Sequence, residues 1–304
     1  PSLSVVIGDL IEYRIKATDI SSQQNVGYSP ASGYNSFSII ASLGNILVVD
    51  DDVSLLERAS MEKGGFGDRS TPLGASANLF TTSLSAEGYT VDQVTFASLN
   101  TATLSNYDVV ILSAGVKEST MFNDVTKRTA LVNFTLAGGK TLVEGGEVGY
   151  IFRKFGTTTD LHPTFRRNLL LDSAWVSDRS GASLQIAITN HSIFKIPYDI
   201  SSPISISNGG TSGYFGARDE MTVLPGVTGV SRIANWVGGT AANGGIFIYS
   251  PNGDTSVCRN IFFSFSVAQF SSQTIASNLI VNSVRYLMRE FIPTTKTFNI
   301  TALI

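Results

Sequence analysis

A glutamate framed by glycines is the residue that this sequence best positions for chemistry. It lies in Gly145-Gly-Glu-Val-Gly149, directly after the apolar segment Thr141-Leu-Val143 and before a predicted helix. In α/β proteins a strand that turns sharply into a helix exposes one side chain at the carboxyl edge of the sheet, and enzymes of this layout place Ser or Cys there, within a Gly-x-nucleophile-x-Gly frame. Here that side chain is Glu147. The sequence therefore predicts an enzyme-like elbow that carries a carboxylate in place of Ser or Cys.

Four further carboxylates are predicted to lie at the same edge. Asp50, Asp51 and Asp52 follow the first predicted buried strand, and Glu144 ends the strand before Glu147. Carboxylates that converge raise one another's pKa values or bind a hard cation such as Mg²⁺ or Ca²⁺. These five residues are therefore candidate metal ligands. In the alternative interpretation, Asp51 and Asp52 cap and turn a loop, and Glu147 accepts hydrogen bonds from backbone amides.

No complete nucleophile–histidine pair is evident in the sequence. A Ser–His–Asp or Cys–His hydrolase needs a histidine within hydrogen-bonding distance of its nucleophile. The histidines are His162, at a predicted helix start, and His191, in a predicted loop. The single cysteine, Cys258, excludes an internal disulfide and fits a small buried apolar residue. His191 remains a catalytic candidate beside Glu147 and Asp51, with a structural role as the simpler alternative.

Composition narrows the function classes. The chain has 304 residues, of which 43% are hydrophobic and 15% charged, and its net charge is −3. Without a basic run, the sequence offers no electrostatic basis for binding nucleic acid. Its apolar stretches are far shorter than the roughly 18 residues of a membrane span. We therefore expect one large globular domain, or such a domain with an appendage.

From residue 45 onward, the sequence alternates strands with helices. Continuous apolar runs at Ile46–Val49, Val109–Leu112 and Thr141–Val143 predict neighbouring parallel strands that are covered on both faces. We expect a doubly wound, mostly parallel α/β sheet of the flavodoxin-like or amidotransferase-like kind. Helices are predicted around Pro72–Glu87, Ser119–Ala137 and Gln273–Arg289. Later strands are predicted at Leu184–Ile188, Ser231–Val237, Ile246–Tyr249 and Asn260–Ser266.

The first 43 residues have a different pattern. Apolar and polar residues alternate from Ile11 to Ala17 and again over Tyr34–Ile40, which is typical of strands with one buried face. We interpret residues 1–43 as the end of an immunoglobulin- or fibronectin-like module. The alternative is an extension that packs on the main domain. The main domain is then residues 44–292, and 293–304 form a linker or the first strand of a following domain. On this interpretation the chain is part of a longer protein.

The order of the motifs resembles the class I glutamine-amidotransferase-like superfamily, in its ThuA-like and non-catalytic branches. The matching segments are Ile46–Asp52, Leu104–Gly115, Ala137–Glu147, Asn190–Phe194 and Arg259–Ser266. Catalytic members carry Cys at the elbow and a downstream His–Glu pair. This chain has neither feature, so the resemblance implies the fold without glutaminase activity.

The same resemblance implies a cellular setting. Domains of this kind occur beside immunoglobulin-like modules in large secreted or cell-surface proteins of bacteria. We therefore expect an extracellular, non-catalytic accessory or interaction domain. Its partners would be neighbouring domains and a glycan or other cell-surface ligand, and it would need no cofactor. The alternative is a glycan- or peptide-directed hydrolase, with or without a divalent metal (Ca²⁺ or Mg²⁺), that uses Asp50, Asp51, Asp52 and Glu147.

Overall fold

A computed structural model describes most of the chain. The described residues are 9–38, 42–52, 74–116, 124–152, 163–179, 183–206, 218–240, 242–251 and 257–288. By its internal contacts the chain divides into two units, Pro1–Leu43 and Gly44–Ile304. The predicted C-terminal segment 293–304 and His162 lie outside the described residues. No described helix is both long and apolar enough to cross a membrane.

The first unit contains two small antiparallel sheets. Strand β1 (Leu10–Tyr13) pairs with β4 (Asn35–Ser38), and β2 (Ile15–Thr18) pairs with β3 (Val26–Ser29). This confirms the predicted all-β N-terminal segment. Tyr13 is 46% exposed, while the side chain of Phe37 lies outside the described part. The assignment to an immunoglobulin-like module remains a prediction.

The second unit contains eleven described strands and five described α-helices, besides short 3₁₀ and π-helical turns. The strands are β5 (Asn45–Asp50), β6 (Thr90–Thr95), β7 (Val109–Ser113), β8 (Lys140–Glu144), β9 (Asp172–Asp178), β10 (Leu184–Ile186), β11 (Asp219–Val223), β12 (Val230–Trp236), β13 (Asn243–Gly244), β14 (Ile246–Tyr249) and β15 (Asn260–Phe263). The helices are α1 (Ala75–Ala86), α2 (Val125–Leu136), α3 (Val148–Phe152), α4 (Pro163–Phe165) and α5 (Gln273–Met288).

Eight of these strands form the main sheet, in the order β10-β12-β14-β15-β8-β7-β5-β6. The five strands from β15 to β6 are parallel, and β14, β12 and β10 extend the sheet by antiparallel pairing. The predicted neighbours β5, β7 and β8 lie side by side, which confirms the α/β prediction. Their register aligns Asp50, Ser113 and Glu144 at the carboxyl ends of the three strands.

Helices cover both faces of this sheet because its central strands are apolar on both sides. Ile46 and Val48 of β5 belong to a core that includes Phe80 of α1 and buried residues of α5. The alternate residues Leu47 and Val49 belong to a second core, which includes residues of α2. Each side chain along β5 thus faces the layer opposite to that of its neighbour, as the two-residue period of a strand requires.

A second sheet of three strands was not predicted. Strand β11 pairs antiparallel with both β9 and β13, and Asp219 lies opposite Asp178 in the register. The β9 sequence mixes polar with apolar residues and has an aspartate at each end, so it lacks the continuous apolar run that marked the central strands. Two side chains connect this sheet to the main one: the Ser264 hydroxyl and the Trp236 indole N–H donate hydrogen bonds to the Asp219 carbonyl, at 2.6 and 2.9 Å.

Candidate functional site

The elbow after β8 is a strand–turn–helix unit. Strand β8 ends at Glu144, a turn follows through Glu147, and α3 begins at Val148. A Cβ atom on Gly145 would lie 2.4 Å from Val148 Cγ2, and one on Gly149 would lie 2.4 Å from the Met221 sulfur. Neither these glycines nor Glu147 is among the described residues with positive φ, so close packing alone explains the glycine frame.

Glu147 belongs to a group of three carboxylates. One oxygen each of Glu147, Asp178 and Asp219 lies within 4.8 Å of the others. Asp178 and Asp219 come from the second sheet, where the antiparallel register places them opposite each other. Glu147 is partly exposed, and Asp219 is fully buried. The elbow therefore presents its carboxylate to an acidic pair that sequence analysis did not identify.

Burial and like charge both act on this acidic group. Burial raises the pKa of Asp219 well above its usual value, and the negative charges of Asp178 and Asp172 raise it further. Hydrogen bonds from the Tyr150 backbone N–H (3.0 Å) and the Trp175 indole N–H (2.6 Å) oppose that rise. Burial also raises the pKa of Asp178. Such a group is stabilised by taking up a proton or by binding a cation.

The group has two chemical capacities. Three carboxylates offer hard oxygen ligands of the kind that Ca²⁺ and Mg²⁺ prefer. Alternatively, a protonated carboxyl beside an ionised one is the arrangement used for general acid–base chemistry on glycosides. An aromatic pair borders the acids, with the rings of Tyr150 and Trp175 in edge-to-face contact at 5.2 Å between centroids.

Glu144 has very different surroundings from Glu147. Its side chain is fully buried and accepts four hydrogen bonds. One oxygen accepts from Ser76 Oγ and from the Val267 N–H, each at 2.8 Å. The other oxygen accepts from Ser113 Oγ at 3.0 Å and from the Gly115 N–H at 3.1 Å. Burial raises the pKa of this carboxyl, while the four donors oppose the rise. Glu144 thus joins α1, β7, β8 and the loop after β15.

The acidic triplet folds back on its own loop. Asp50, Asp51 and Asp52 are all buried, and the Asp52 N–H donates to the Asp50 carboxylate at 2.9 Å. The Gly74 N–H donates to the Asp52 carboxylate at 3.3 Å. A Cβ on Gly74 would meet an Asp50 oxygen at 2.8 Å, and a Cβ on Gly115 would meet an Asp52 oxygen at 2.7 Å. Within the described residues, the group of three carboxylates suited to a metal is the one at Glu147 and excludes this triplet.

The remaining candidates have structural contacts. His191 Nδ1 accepts a hydrogen bond from the Ile193 N–H at 3.3 Å, which caps a short 3₁₀ helix, and its ring contacts Tyr286 at 4.7 Å between centroids. Burial lowers the pKa of His191 to about 4. Cys258 is buried, and burial raises the pKa of its thiol to about 12. At neutral pH both groups are therefore uncharged.

Sequence reasoning missed Asp178 and Asp219, and no local signal marks them. The acidic dipeptide Asp219-Glu220 begins a strand, where buried acids are rare. The carboxylate of Glu220 is satisfied separately by an ion pair with Arg179 and by the Thr240 N–H at 2.9 Å. Only the pairing of β9 with β11 brings Asp178 and Asp219 to the elbow.

Comparison with known proteins gives distant likenesses only. No protein-family model and no curated protein matches the sequence. One similar solved structure is the mmIFT52 N-terminal domain, at 11% identity and a TM-score of 0.48, covering 80% of this chain and 97% of that one. Another is the Trypanosoma brucei CTPS glutaminase domain with bound acivicin, at 10% identity and a TM-score of 0.35, covering 81% and 94%. Likenesses of this size carry no argument about function.

Proposed function

We propose that this chain is a non-catalytic interaction domain of a larger secreted or cell-surface protein. One observation carries the proposal: the elbow presents the carboxylate of Glu147 beside Asp178 and Asp219, where an amidotransferase needs a thiol and a histidine. In this proposal the fold belongs to the ThuA-like, non-catalytic branch, and an immunoglobulin-like module precedes it. Its partners are neighbouring domains of the same protein and a glycan or other cell-surface ligand.

The protonation states of Cys258 and His191 support this proposal. The reactive form of cysteine is the thiolate. A pKa of about 12 keeps Cys258 protonated, and the side chain is buried against the Asn260 carbonyl at 3.6 Å. His191 uses its Nδ1 atom to cap a helix and packs against aromatic rings. Each residue therefore has a role in the fold that competes with catalysis.

The test is a comparison of hydrolysis and binding. We expect the wild-type chain to hydrolyse neither glutamine nor a panel of aryl glycosides and peptides above the buffer rate. Glu147→Gln should behave identically in this assay. A glycan array with the same two proteins tests for binding, and Asp199→Asn serves as the matched control because that carboxylate is 74% exposed and pairs locally with Lys195. Turnover that Glu147→Gln abolishes and Asp199→Asn retains would refute the non-catalytic proposal.

A second candidate, a glycan-directed hydrolase, is favoured by one specific observation. The pKa values of Asp178 and Asp219 are both raised beside the partly exposed Glu147. A carboxyl that keeps its proton near an ionised carboxylate fits acid–base hydrolysis of glycosides. In this version Asp178 and Asp219 take the place of the triplet in the sequence-based hypothesis.

Either proposed function could include a cation bound by Glu147, Asp178 and Asp219. Calorimetric titration with Ca²⁺ and Mg²⁺ tests for this cation. Binding in the wild type that Glu147→Gln weakens by about tenfold or more would assign the cation to the elbow. Equal binding in both proteins, or none in either, would leave the three carboxylates without a metal role.

A further inference from the structure

The ribbon formed by β2 and β3 in the first unit has two unlike faces. Residues directly opposite each other in an antiparallel pair share a face, and the faces alternate along each strand. The register therefore places Lys16 and Tyr28 together on one face and Ile15 on the other. Arg14 belongs to the first face, since its guanidinium lies over the Tyr28 ring. Together with Tyr34, these residues form what we call the Arg14 face.

The guanidinium of Arg14 is held by two tyrosine rings. Its central carbon is 3.9 Å from the ring centroid of Tyr28 and 5.4 Å from that of Tyr34, within the roughly 6 Å range of a cation–π contact. The five N–H donors of a guanidinium lie in its plane, so a ring against its face leaves the donors at its edge unused. Within the described part of the chain, Arg14 donates no hydrogen bond and forms no ion pair. The group is thus oriented without being neutralised.

Lys16 adds a second positive charge, two residues further along the chain and so roughly 7 Å away. It is exposed and forms no ion pair with any residue that the structure describes. The carboxylates nearest in the sequence do not pair with either cation. Asp19 accepts four hydrogen bonds within its own turn, at 2.6 to 3.1 Å, and the exposed Glu12 has no ion pair among the described residues. Both positive charges are therefore available to an anion.

The Arg14 face also presents aromatic surface. Tyr28 and Tyr34 remain 43% and 60% exposed. A sugar ring packs its C–H groups against such a ring, and the planar fork of a guanidinium matches the two oxygens of a carboxylate. A sugar acid supplies both features on one rigid ring. An acidic peptide has its carboxylates on flexible side chains and offers the tyrosines no comparable flat surface.

We propose that the Arg14 face binds an acidic glycan, one that carries uronic acid carboxylates along its sugar chain. Arg14 binds one carboxylate, Lys16 attracts a second, and a sugar ring packs against Tyr34. In an immunoglobulin-like module, the face with Ile15 would pack on the neighbouring sheet and leave the charged face open to solvent. The inference rests on the proposed function only for the glycan as ligand class, and it involves none of the residues around Glu147.

Matched oligosaccharides test this assignment. Tetragalacturonic acid is titrated into the intact chain by calorimetry, and its fully methyl-esterified form is the neutral counterpart with the same sugar rings. We expect the acid to bind and the ester to bind at least about tenfold more weakly. Failure of the acid to bind up to about 10 mM, or equal affinity for acid and ester, would overturn the proposal. A tetraglutamate peptide that binds as tightly as the sugar acid would also overturn it, because the surface would then recognise charge alone.

Charge variants locate the binding. Arg14→Gln should weaken binding of the acid by at least about tenfold. Lys16→Gln does not depend on the folding of that variant, because the exposed Lys16 has no ion pair to lose among the described residues, and it should weaken binding by about threefold. Lys195→Gln removes a cation from the second unit, where it pairs with Asp199, and should leave binding unchanged. Equal effects of Lys16→Gln and Lys195→Gln would place the binding elsewhere and refute the assignment. The hydrolysis assay on Glu147→Gln is unaffected by either result, so the two proposals fail separately.

Discussion

Two glutamates three residues apart, Glu144 and Glu147, have opposite environments. Glu144 is fully buried and receives four hydrogen bonds from two hydroxyls and two backbone amides. Glu147 is partly exposed and lies within 4.8 Å of two other acidic side chains. The first carboxylate is held by donors, and the second is crowded by like charges.

The comparison shows how differently two carboxylates near one strand end can be stabilised. A buried carboxylate surrounded by donors ties elements together, because each donor would be left unsatisfied without it. Carboxylates that crowd together destabilise one another unless a proton, cation or ligand intervenes. We therefore expect the fold to depend on Glu144, whereas the group at Glu147 could take up a proton or a cation.

The largest expected effect is at Glu144. Glu144→Gln replaces one acceptor oxygen with an NH₂ group that faces two donors. We therefore expect the free energy of unfolding to fall by about 3 kcal/mol. Urea denaturation measures this change, with Asp199→Asn as the control for loss of an exposed carboxylate. A loss no larger than that of the control would show that the four hydrogen bonds do not stabilise the fold.

His191 extends the comparison to a partly buried base, which is charged only when it is protonated. Its pKa is lowered by burial from 6.5 to about 4, so the unfolded chain binds more protons between those two pH values. Stability should thus be unaffected by this group above pH 6.5 and should fall as the pH drops towards 4. The difference in unfolding free energy between wild type and His191→Asn should shrink by up to about 3 kcal/mol over that range. A constant difference would contradict the assigned burial.

A smaller effect is expected at Asp178. Removing its charge in Asp178→Asn eliminates one cause of the raised pKa of Asp219. A raised carboxyl pKa lowers stability as the pH rises above the usual value, so the variant should be more stable than wild type at pH 7, by about 1 kcal/mol, and equal to it at pH 3. Denaturation at the two pH values measures the difference. Destabilisation at pH 7 in metal-free buffer would mean that the carboxylates are not mutually repulsive.

Much of the fold was predictable because its signals are local. Strands β5, β7 and β8 are continuous apolar runs, and the stripe of apolar residues in α5 predicted a helix that the structure places at Gln273–Met288. The glycine frame predicted the elbow and the position of Glu147 within it. These features depend on residues that are neighbours in the sequence.

The partners of Glu147 could not be predicted for the opposite reason. Asp178 and Asp219 meet through the register of two strands that are about 40 residues apart, and neither strand has a distinctive pattern. The role of Glu144 was likewise hidden, because its donors Ser76 and Val267 come from distant segments. Hydrogen-bond partners of buried acids are set by tertiary structure, which a single sequence does not encode in any short motif.

The most direct test of the central claim is the stability of Glu147→Gln measured beside that of Glu144→Gln. If Glu147 is a binding group that the fold does not need, its variant should unfold within about 0.5 kcal/mol of wild type in metal-free buffer at neutral pH, because neutralising one of three crowded acids offsets any hydrogen bond that is lost. Glu144→Gln should lose several times more. Comparable losses in the two variants would contradict the account, since both glutamates would then be structural.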